Sequence, residues 1–287
     1  MGNRANETFG YRTKHWEGRW AAPISSFGRG SAEGYAFIWN RDRIELSKNR
    51  KGETLEPYID ETCGKSTFVR PPLVGKFVSK SSKIEFRLIN THIVYGKPSQ
   101  MKDEESELYQ EDATDLQLRK EELSHLIQEV YVKLNSEKTN YHGVGYSSKS
   151  AYFYTFLLGD YNLNLKNSET TAYKIPQELQ EYSVGNMRIV TVNEKLTTLK
   201  SKPNDPDKEK ELRNDPEPSH HLANNYDHFT YDNNKFSDIA QPKIEVIHAF
   251  DNYQDTEEES KYDIYRRRVS DHLPISLEFS IRKNRNI

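Results

Sequence analysis

The chain has 287 residues, with 41 Lys and Arg against 44 Asp and Glu, so its formal net charge is −3. At roughly 100–200 residues per domain, this length suits one large domain or two small ones. Cys63 is the only cysteine, which excludes an intramolecular disulfide framework and a multi-cysteine metal site. No apolar run approaches the roughly 20 residues of a membrane span and no leader opens the chain, so we expect a cytoplasmic protein without a membrane partner.

The predicted elements are mainly strands, with one long helix and two charged loops. Residues 1–22 are polar with no clear period and are predicted to be irregular structure or a surface segment. Apolar spacing predicts a helix over 114–135, and the charged segments 99–112 and 200–218 are predicted to be loops. Strands are predicted at 35–40, 73–78, 84–93, 151–159, 225–231, 243–250 and 274–280.

This order of elements predicts one α/β domain rather than two. The 18 Tyr and 12 Phe supply the aromatic side chains of a strand-rich core. We find neither an internal repeat nor a linker. We therefore expect a polar N-terminal segment over 1–24 and a single domain over 25–287, in which helices cover packed sheets.

Four polar clusters lie where predicted strands begin or end, which is where α/β folds tend to place ligands. They are Asn90-Thr91-His92, Gly159-Asp160-Tyr161-Asn162, Tyr226-Asp227-His228 and Ser270-Asp271-His272-Leu273-Pro274. Each cluster can be explained by a structural role, such as a turn or an ion pair, as well as by a functional one, so no single cluster defines a site.

The residue types within these clusters suit acid–base chemistry and binding of a hard cation. His92 could act as a general acid or base, or simply bond to backbone at a strand end. Asp160 and Asn162 offer oxygen ligands for Mg²⁺, or form an ordinary turn. Asp227 is unusual in a strand and needs a partner or a function. Asp271 is adjacent to a histidine, and the pair can share a site only if the backbone bends.

Two further clusters remain open from the residues alone. The basic run 266–268 could bind a nucleic-acid backbone or offset the acidic run 257–259. His220 and His221 could form a metal cluster with His228, although a solvated loop is the simpler interpretation of those two residues.

Taken together and in this order, the four clusters resemble the motifs of the endonuclease/exonuclease/phosphatase superfamily, most closely its deoxyribonuclease I-like members. Gly28-Arg29, the segment 33–37 and the segment 70–74 extend the similarity, which runs over 25–279. The resemblance implies a four-layer α/β/β/α sandwich. It also implies a metal-dependent phosphodiester hydrolase, most closely a DNA endonuclease that contacts the phosphate backbone.

The resemblance further implies roles for individual residues. His92 and His272 would flank the scissile phosphate, one activating water or stabilising the phosphorane and the other assisting the leaving oxygen. Glu33 would orient His92, and Asp227 would orient His272.

The resemblance also implies a catalytic metal, which we expect to be Mg²⁺, with Mn²⁺ or Ca²⁺ as alternatives. Asp271, Asp160 and Asn162 would bind this ion or position phosphate oxygens, so Asp160 and Asn162 count among the catalytic residues as well.

Substrate binding is expected from residues other than these histidines and carboxylates. Arg29 and Arg70 would grip flanking phosphates, a task for which guanidinium suits better than ammonium, and Asn90 would lie beside them. For both arginines, plain surface solvation is the alternative.

The front of the chain departs from the family pattern. The family opens with a strand that carries an Asn and a second strand that ends in a metal-binding Glu, and neither is visible before Arg29. Glu7 and Glu17 are the only carboxylates upstream of Glu33, and neither follows an apolar strand. A truncated or misassigned start, an inactive relative, and a Glu supplied by another segment all remain open. We favour the first, because the histidines and carboxylate clusters are intact.

Within the same superfamily, a phosphomonoesterase or a lipid phosphodiesterase is the alternative to a DNA endonuclease. A third reading, of a different class, is an inactive relative that binds nucleic acid or a partner protein.

Overall fold

The computed structural model describes residues 8–22, 34–49, 51–60, 68, 70–93, 113–137, 153–165, 173–215, 217–236, 242–256 and 259–280. The acidic segment 99–112 lies outside these residues. No helix within the described ranges is long and apolar enough to cross a membrane.

Strands dominate the described residues. They are β1 (Thr8–Arg12), β2 (Trp16–Ala21), β3 (Ala36–Asn40), β4 (Ile44–Leu46), β5 (Tyr58–Ile59), β6 (Leu73–Ser79), β7 (Glu85–His92), β8 (Phe153–Asp160), β9 (Glu181–Val184), β10 (Met187–Val192), β11 (Asp227–Asp232), β12 (Lys243–Val246) and β13 (Ile275–Glu278). The α-helices are α1 (Ala113–His125), α2 (Val132–Ser136), α3 (Gln177–Gln180), α4 (Pro206–Arg213) and α5 (Lys261–Arg268), and a π-helical segment, Leu126–Tyr131, joins α1 to α2.

An eight-stranded sheet forms the centre of the fold. Its order is β4-β6-β7-β8-β11-β10-β9, with β5 paired to β6. The strands β7 and β8 run parallel, and the other neighbours in the sheet are antiparallel. Along β7 fully buried and half-buried residues alternate, as expected for a strand with two differently covered faces.

The two faces of this sheet carry different cores. On one face, Ile89 and Leu157 pack against Leu123, Ile127 and Tyr131 of the helix formed by α1 and the π-helical segment. On the other face, apolar and aromatic side chains pack against the two small sheets β1-β2-β3 and β12-β13. The sheet is therefore covered by helix on one side and by strands on the other.

The α/β class is as the sequence predicts. The described residues show a helix layer, a large sheet and two small sheets, and the complete four-layer sandwich stays a prediction. The small sheets are separated by an apolar cleft of about 610 Å³, which has aromatic side chains from β7 and β8 as its floor.

The N-terminal segment was expected to be irregular structure or a surface segment, and the irregular alternative was wrong over the described residues 8–22. Strands β1 and β2 form a hairpin, and β2 pairs with β3 from Trp16 opposite Asn40 to Trp20 opposite Ala36. The two tryptophans are 51% and 39% exposed, whereas Gly18 is buried. Because the large apolar side chains lie on the outer face, hydrophobic periodicity does not reveal this strand.

The charged segment 200–218 is exposed as expected but is not wholly a loop. It contains α4, whose first turn is capped by Asp205 through a bond from the Asp207 backbone N–H, with Pro206 at the first helical position. No residue of α4 is buried. The predicted strand 243–250 ends at Val246, and the hairpin of β9 and β10 was not predicted at all.

Candidate active site

Three adjacent strands place a histidine and two carboxylates side by side. In the parallel pair of β7 and β8, His92 lies opposite Asp160, and in the antiparallel pair of β8 and β11, Asp160 lies opposite Asp227. Residues in register on neighbouring strands project from the same face of a sheet. The three side chains therefore form a row at one edge of the sheet.

Gly159 allows β8 to approach β7 just before Asp160. Its φ is +139°, and a Cβ at this position would lie 1.8 Å from the backbone oxygen of Thr91. Any side chain would force the two strands apart at the point where the row forms. The glycine of this motif is thus required by the close backbone contact.

A bent segment between α5 and β13 brings Asp271 and His272 to the same edge. The Leu199 N–H donates to the Asp271 carbonyl (2.7 Å), and the Tyr265 hydroxyl donates to the His272 carbonyl (3.2 Å). The His272 N–H donates to Ser270 Oγ (3.0 Å). These bonds hold the bend that the sequence required for both residues to share a site.

The side chains meet at one carboxylate oxygen. Asp160 Oδ2 lies 3.3 Å from His92 Nε2 and 3.5 Å from His272 Nε2. On its other ring nitrogen, His272 Nδ1 lies 2.8 Å from Asp227 Oδ2, the contact that the resemblance implies. Asp227, His272, Asp160 and His92 therefore form a continuous polar chain.

The pKa values of Asp160 and His272 are both raised, which favours the neutral form of the carboxyl group and the charged form of the imidazole. Burial is the largest effect on Asp160 and raises its pKa to about 7, and the charges of Asp227 and Asp271 act in the same direction. Burial alone would lower the pKa of His272, but the bond to Asp227 and the neighbouring carboxylates raise it to about 9. At neutral pH His272 is therefore protonated, whereas Asp160 titrates in that range.

Asn162 positions Asp160. It adopts the left-handed conformation (φ 49°), and its backbone N–H donates to Asp160 Oδ1 (2.7 Å). Its side-chain amide donates to the Ile93 carbonyl (2.7 Å) and is almost fully buried. The amide thus fixes the turn after β8, and its role in metal binding stays a prediction.

The row opens into a cavity of about 760 Å³, a size typical of small-ligand sites. His92, Asp160, Asn162, Asp227, Asp271 and His272 all line it. Further lining residues that sequence reasoning did not assign to the site are Thr198, Asn224, Tyr226 and Arg266. Of these four residues, only Arg266 could have been suspected from the sequence, since it belongs to the basic run before Ser270.

Arg70 does not line this cavity. It is 9% exposed, and its carbonyl accepts from the Tyr35 hydroxyl (3.4 Å), which in turn accepts from the His92 N–H (3.2 Å). Arg70 thus lies behind the site and is connected to His92 through Tyr35. Its predicted contact with a substrate phosphate has no support from this placement.

Of the remaining predicted site residues, only Asn90 lies among the described residues. Asn90 lies on β7 outside the cavity, where its amide donates to the Ala36 carbonyl (3.4 Å). Arg29 and Glu33 lie outside the described residues, so the predicted pairing of Glu33 with His92 stays a prediction.

The three histidines at 220, 221 and 228 do not form a cluster. His228 is fully buried, with Nε2 2.8 Å from the Leu163 carbonyl. His221 stacks on Tyr262 with ring centres 3.6 Å apart and is also buried, so the solvated-loop interpretation was wrong for it. His220 is exposed and lies 2.8 Å from Asp215.

The cavity carries oxygen donors of the kind that bind hard cations, chiefly the carboxylates of Asp160 and Asp271. Among the described residues, no group of three or more His, Cys, Asp or Glu side chains is arranged to hold an ion. Mg²⁺, however, takes only one or two protein carboxylates and keeps several waters. Asp271 is exposed at the same cavity, and its charge raises the pKa of Asp160, so a cation there would relieve their repulsion. The donor set thus fits Mg²⁺ held largely through water.

Comparison with known proteins gives structural neighbours only. No family model and no curated protein matches the sequence. A mannosyl-6-phosphatase from Bacteroides thetaiotaomicron is 15% identical, with a TM-score of 0.45 over 97% of this chain and 78% of that one. An endonuclease/exonuclease/phosphatase family protein from the same organism is 14% identical, with a TM-score of 0.44 over 96% and 75%.

A third neighbour is D. rerio TDP2 complexed with a single-strand DNA product. It is 13% identical, with a TM-score of 0.42 over 96% of this chain and 78% of that chain. The endonuclease/exonuclease/phosphatase family named among these neighbours is the one that the four sequence motifs resemble. At such low identities and TM-scores, the chemistry of this protein has to come from the site itself.

Proposed function

We propose that this protein is a Mg²⁺-dependent phosphodiesterase that cuts DNA as an endonuclease. The observation that carries the proposal is the polar chain Asp227–His272–Asp160–His92 at the edge of an open cavity. The choice of DNA follows from the deoxyribonuclease I-like motifs at these same residues.

His272 supplies the acid of the proposed reaction. Because its pKa is about 9, the ring carries a proton on both nitrogens at neutral pH. Asp227 accepts a hydrogen bond from the Nδ1–H and fixes the ring orientation, which leaves the Nε2 proton directed at the cavity. This proton is available to the oxygen that leaves when the phosphodiester bond breaks.

Asp160 supplies the base. A pKa of about 7 lies near the operating pH, where a general base combines a large ionised fraction with useful basicity. Its Oδ2 atom lies within 3.5 Å of both histidines, so a water near it is also near the imidazoles. Asp271, which is exposed at the same cavity, would hold Mg²⁺ largely through water, and the ion would neutralise charge on the phosphoryl oxygens while Asp160 stays free to act as the base.

Nicking of supercoiled plasmid tests this proposal. We expect nicking with Mg²⁺ and none after chelation with EDTA. His92→Ala and His272→Ala should each reduce the rate by at least about 100-fold, the scale of acid–base catalysis. His125→Ala is the matched control, because His125 is exposed on α1 beside Glu129 and should leave the rate within twofold.

Three results would contradict the proposal. Wild-type protein that binds DNA but nicks none with Mg²⁺, Mn²⁺ or Ca²⁺ would indicate an inactive relative. Release of phosphate from a monoester without nicking would indicate a phosphomonoesterase. Near-normal nicking by His272→Ala would overturn its role as the acid, and near-normal nicking by His92→Ala would overturn the placement of His92 beside the scissile phosphate.

A further inference from the structure

The basic run Arg266–Arg268 is divided between two environments. Arg267 pairs with Glu259, with Nη2 2.6 Å and Nε 3.2 Å from the two carboxylate oxygens. Arg268 ends α5 and is exposed. Arg266 lies about 100° around the helix from Arg267 and lines the catalytic cavity. Of the two interpretations that the sequence left open, charge compensation of the acidic run fits Arg267, and binding of a nucleic-acid backbone remains open for Arg266.

Arg266 is held against the segment 199–201. Its Nη1 donates to the Lys200 carbonyl (2.6 Å) and the Leu199 carbonyl (3.3 Å), and its Nη2 donates to Ser201 Oγ (3.3 Å). The same segment bonds to the Asp271 carbonyl through the Leu199 N–H. The guanidinium is thus fixed to the segment that holds Asp271 in the site.

The charge of Arg266 has no carboxylate partner within the described part of the chain. Within the described residues, no ion pair of 4 Å or less joins it to Asp160, Asp227 or Asp271 at the cavity, or to Glu209 or Asp263 in the adjoining crevice. Among the described residues that line the cavity, Arg266 is the one Lys or Arg side chain. Its Nε donates to none of the described groups, so one edge of the guanidinium remains available for a bidentate anion.

Arg266 also lies where the catalytic cavity meets a neighbouring crevice. It lines this crevice together with Lys200, Lys202 and Arg213. Lys202 is engaged there by Glu209 (3.2 Å), whereas Lys200 is exposed. A chain of phosphates that left the catalytic cavity in this direction would pass Arg266 first.

We propose that Arg266 binds a second phosphate of the substrate, next to the scissile one, and thereby selects polynucleotide strands over substrates with a single phosphate. This inference rests on the proposed function, because the scissile phosphate is assigned to the cavity of His92 and His272. Guanidinium is suited to this task, since it is permanently charged and matches two phosphate oxygens at once.

Binding of a fluorescein-labelled DNA duplex in EDTA, followed by anisotropy, measures Arg266 without cleavage. We expect Arg266→Met to raise Kd by about tenfold and to reduce the slope of log Kd against log salt by about one, as for a lost phosphate contact. Arg267→Met is the matched control, because it removes the same charge from the next residue. Equal effects of the two variants, or no effect of Arg266→Met, would overturn the inference.

Cleavage then separates binding of a second phosphate from simple support of the segment 199–201. Arg266→Met should lower kcat/KM by about tenfold on DNA and leave bis(p-nitrophenyl) phosphate hydrolysis within twofold. An equal loss on both substrates would indicate a structural role and overturn the inference.

A substrate variant keeps the test valid if Arg266→Met fails to fold. Wild-type protein is given oligonucleotides with one neutral methylphosphonate at each position in turn. We expect a tenfold loss of kcat/KM when a phosphate neighbouring the cut is neutralised, and loss at the scissile position alone would contradict the inference. If the wild type binds DNA through Arg266 but cuts nothing, the proposed function fails and the second-phosphate site stands.

Discussion

Asp227 Oδ2 lies 2.8 Å from His272 Nδ1, and this contact sets both the orientation and the charge of the histidine. Burial of the ring favours the neutral imidazole. The hydrogen bond to Asp227 and the neighbouring carboxylates outweigh burial and raise the pKa of His272 to about 9. The proposed acid of the reaction is therefore charged at neutral pH because of a residue on a different strand.

Replacement of Asp227 should make His272 easier to deprotonate. We expect Asp227→Asn to lower the titration midpoint of His272 in metal-free protein by roughly one to two pH units, because an adjacent anion is removed. NMR titration of labelled histidine measures this midpoint. Asp215→Asn, beside the exposed His220, is the control and should leave His272 unchanged. An unaltered midpoint in Asp227→Asn would show that the contact does not set the charge.

His228 should make the protein less stable in acid. Burial lowers its pKa, so the folded protein resists its protonation, whereas the unfolded chain takes up a proton below about pH 6.5. The unfolding free energy contributed by this residue therefore falls as the pH decreases through that value. Urea unfolding of His228→Gln at pH 7 and pH 5 should show a smaller decline than the wild type. A decline equal to that of the wild type, or one matched by the exposed-site control His125→Gln, would contradict this.

The buried pair of Arg87 and Glu85 should be essential for stability. The two residues are 1% and 3% exposed, and Arg87 Nε donates to Glu85 Oε1 (2.6 Å). Arg87 also donates to carbonyls at the end of α2, including that of Leu134, and so joins the helix to the sheet. Arg87→Met would leave a buried carboxylate unpaired, and we expect the unfolding free energy to fall by about 3–5 kcal/mol.

An exposed pair provides the comparison for Arg87. Arg188 and Glu181 form a two-bond ion pair on the surface, each about half exposed. Arg188→Met should lower the unfolding free energy far less than Arg87→Met does, because water screens exposed pairs. Urea unfolding of both variants checks this difference, and equal losses would refute the distinction between them.

Gly159→Ala should disrupt the site through the sheet. The added Cβ would lie 1.8 Å from the Thr91 oxygen, so β7 and β8 would have to separate beside His92 and Asp160. We expect a loss above about 3 kcal/mol in unfolding free energy, or failure to fold. Gly185→Ala is the control, because its φ of +56° is also left-handed but no atom lies within 4 Å of the new Cβ. Its cost should be limited to about 1–3 kcal/mol, and an equal cost for both variants would rule out the steric explanation.

Local sequence patterns were sufficient to predict the central strands, whereas the grouping of His92, Asp160, Asp227 and His272 into one site came from the resemblance of the four motifs to a known family. Alternation along 84–93 identifies β7, and the apolar run ending at Asp160 identifies β8. The register that places His92 and Asp227 opposite Asp160 is long-range, and no local pattern predicts it. The bend at Asp271 was also anticipated, since two adjacent residues cannot otherwise share a site.

The remaining features depend on contacts that sequence patterns do not encode. The hairpin of β1 and β2 carries its tryptophans on the exposed face, which inverts the usual signal. Arg70 resembles a phosphate ligand in sequence but is buried behind Tyr35. Arg266 lines the cavity with its guanidinium bonded to the distant segment 199–201, a contact that no local pattern predicts. Each outcome is decided by a partner far away in the chain.

A double-mutant cycle on Asp160 and His272 tests the central claim most directly. The measured quantity is kcat/KM for plasmid nicking by the wild type, Asp160→Asn, His272→Ala and the double variant, with folding checked by circular dichroism. If the two residues act as one catalytic unit, each single variant loses at least about 100-fold and the double variant loses scarcely more. Losses that multiply in the double variant, or either single variant within threefold of wild type, would contradict the assignment of this site.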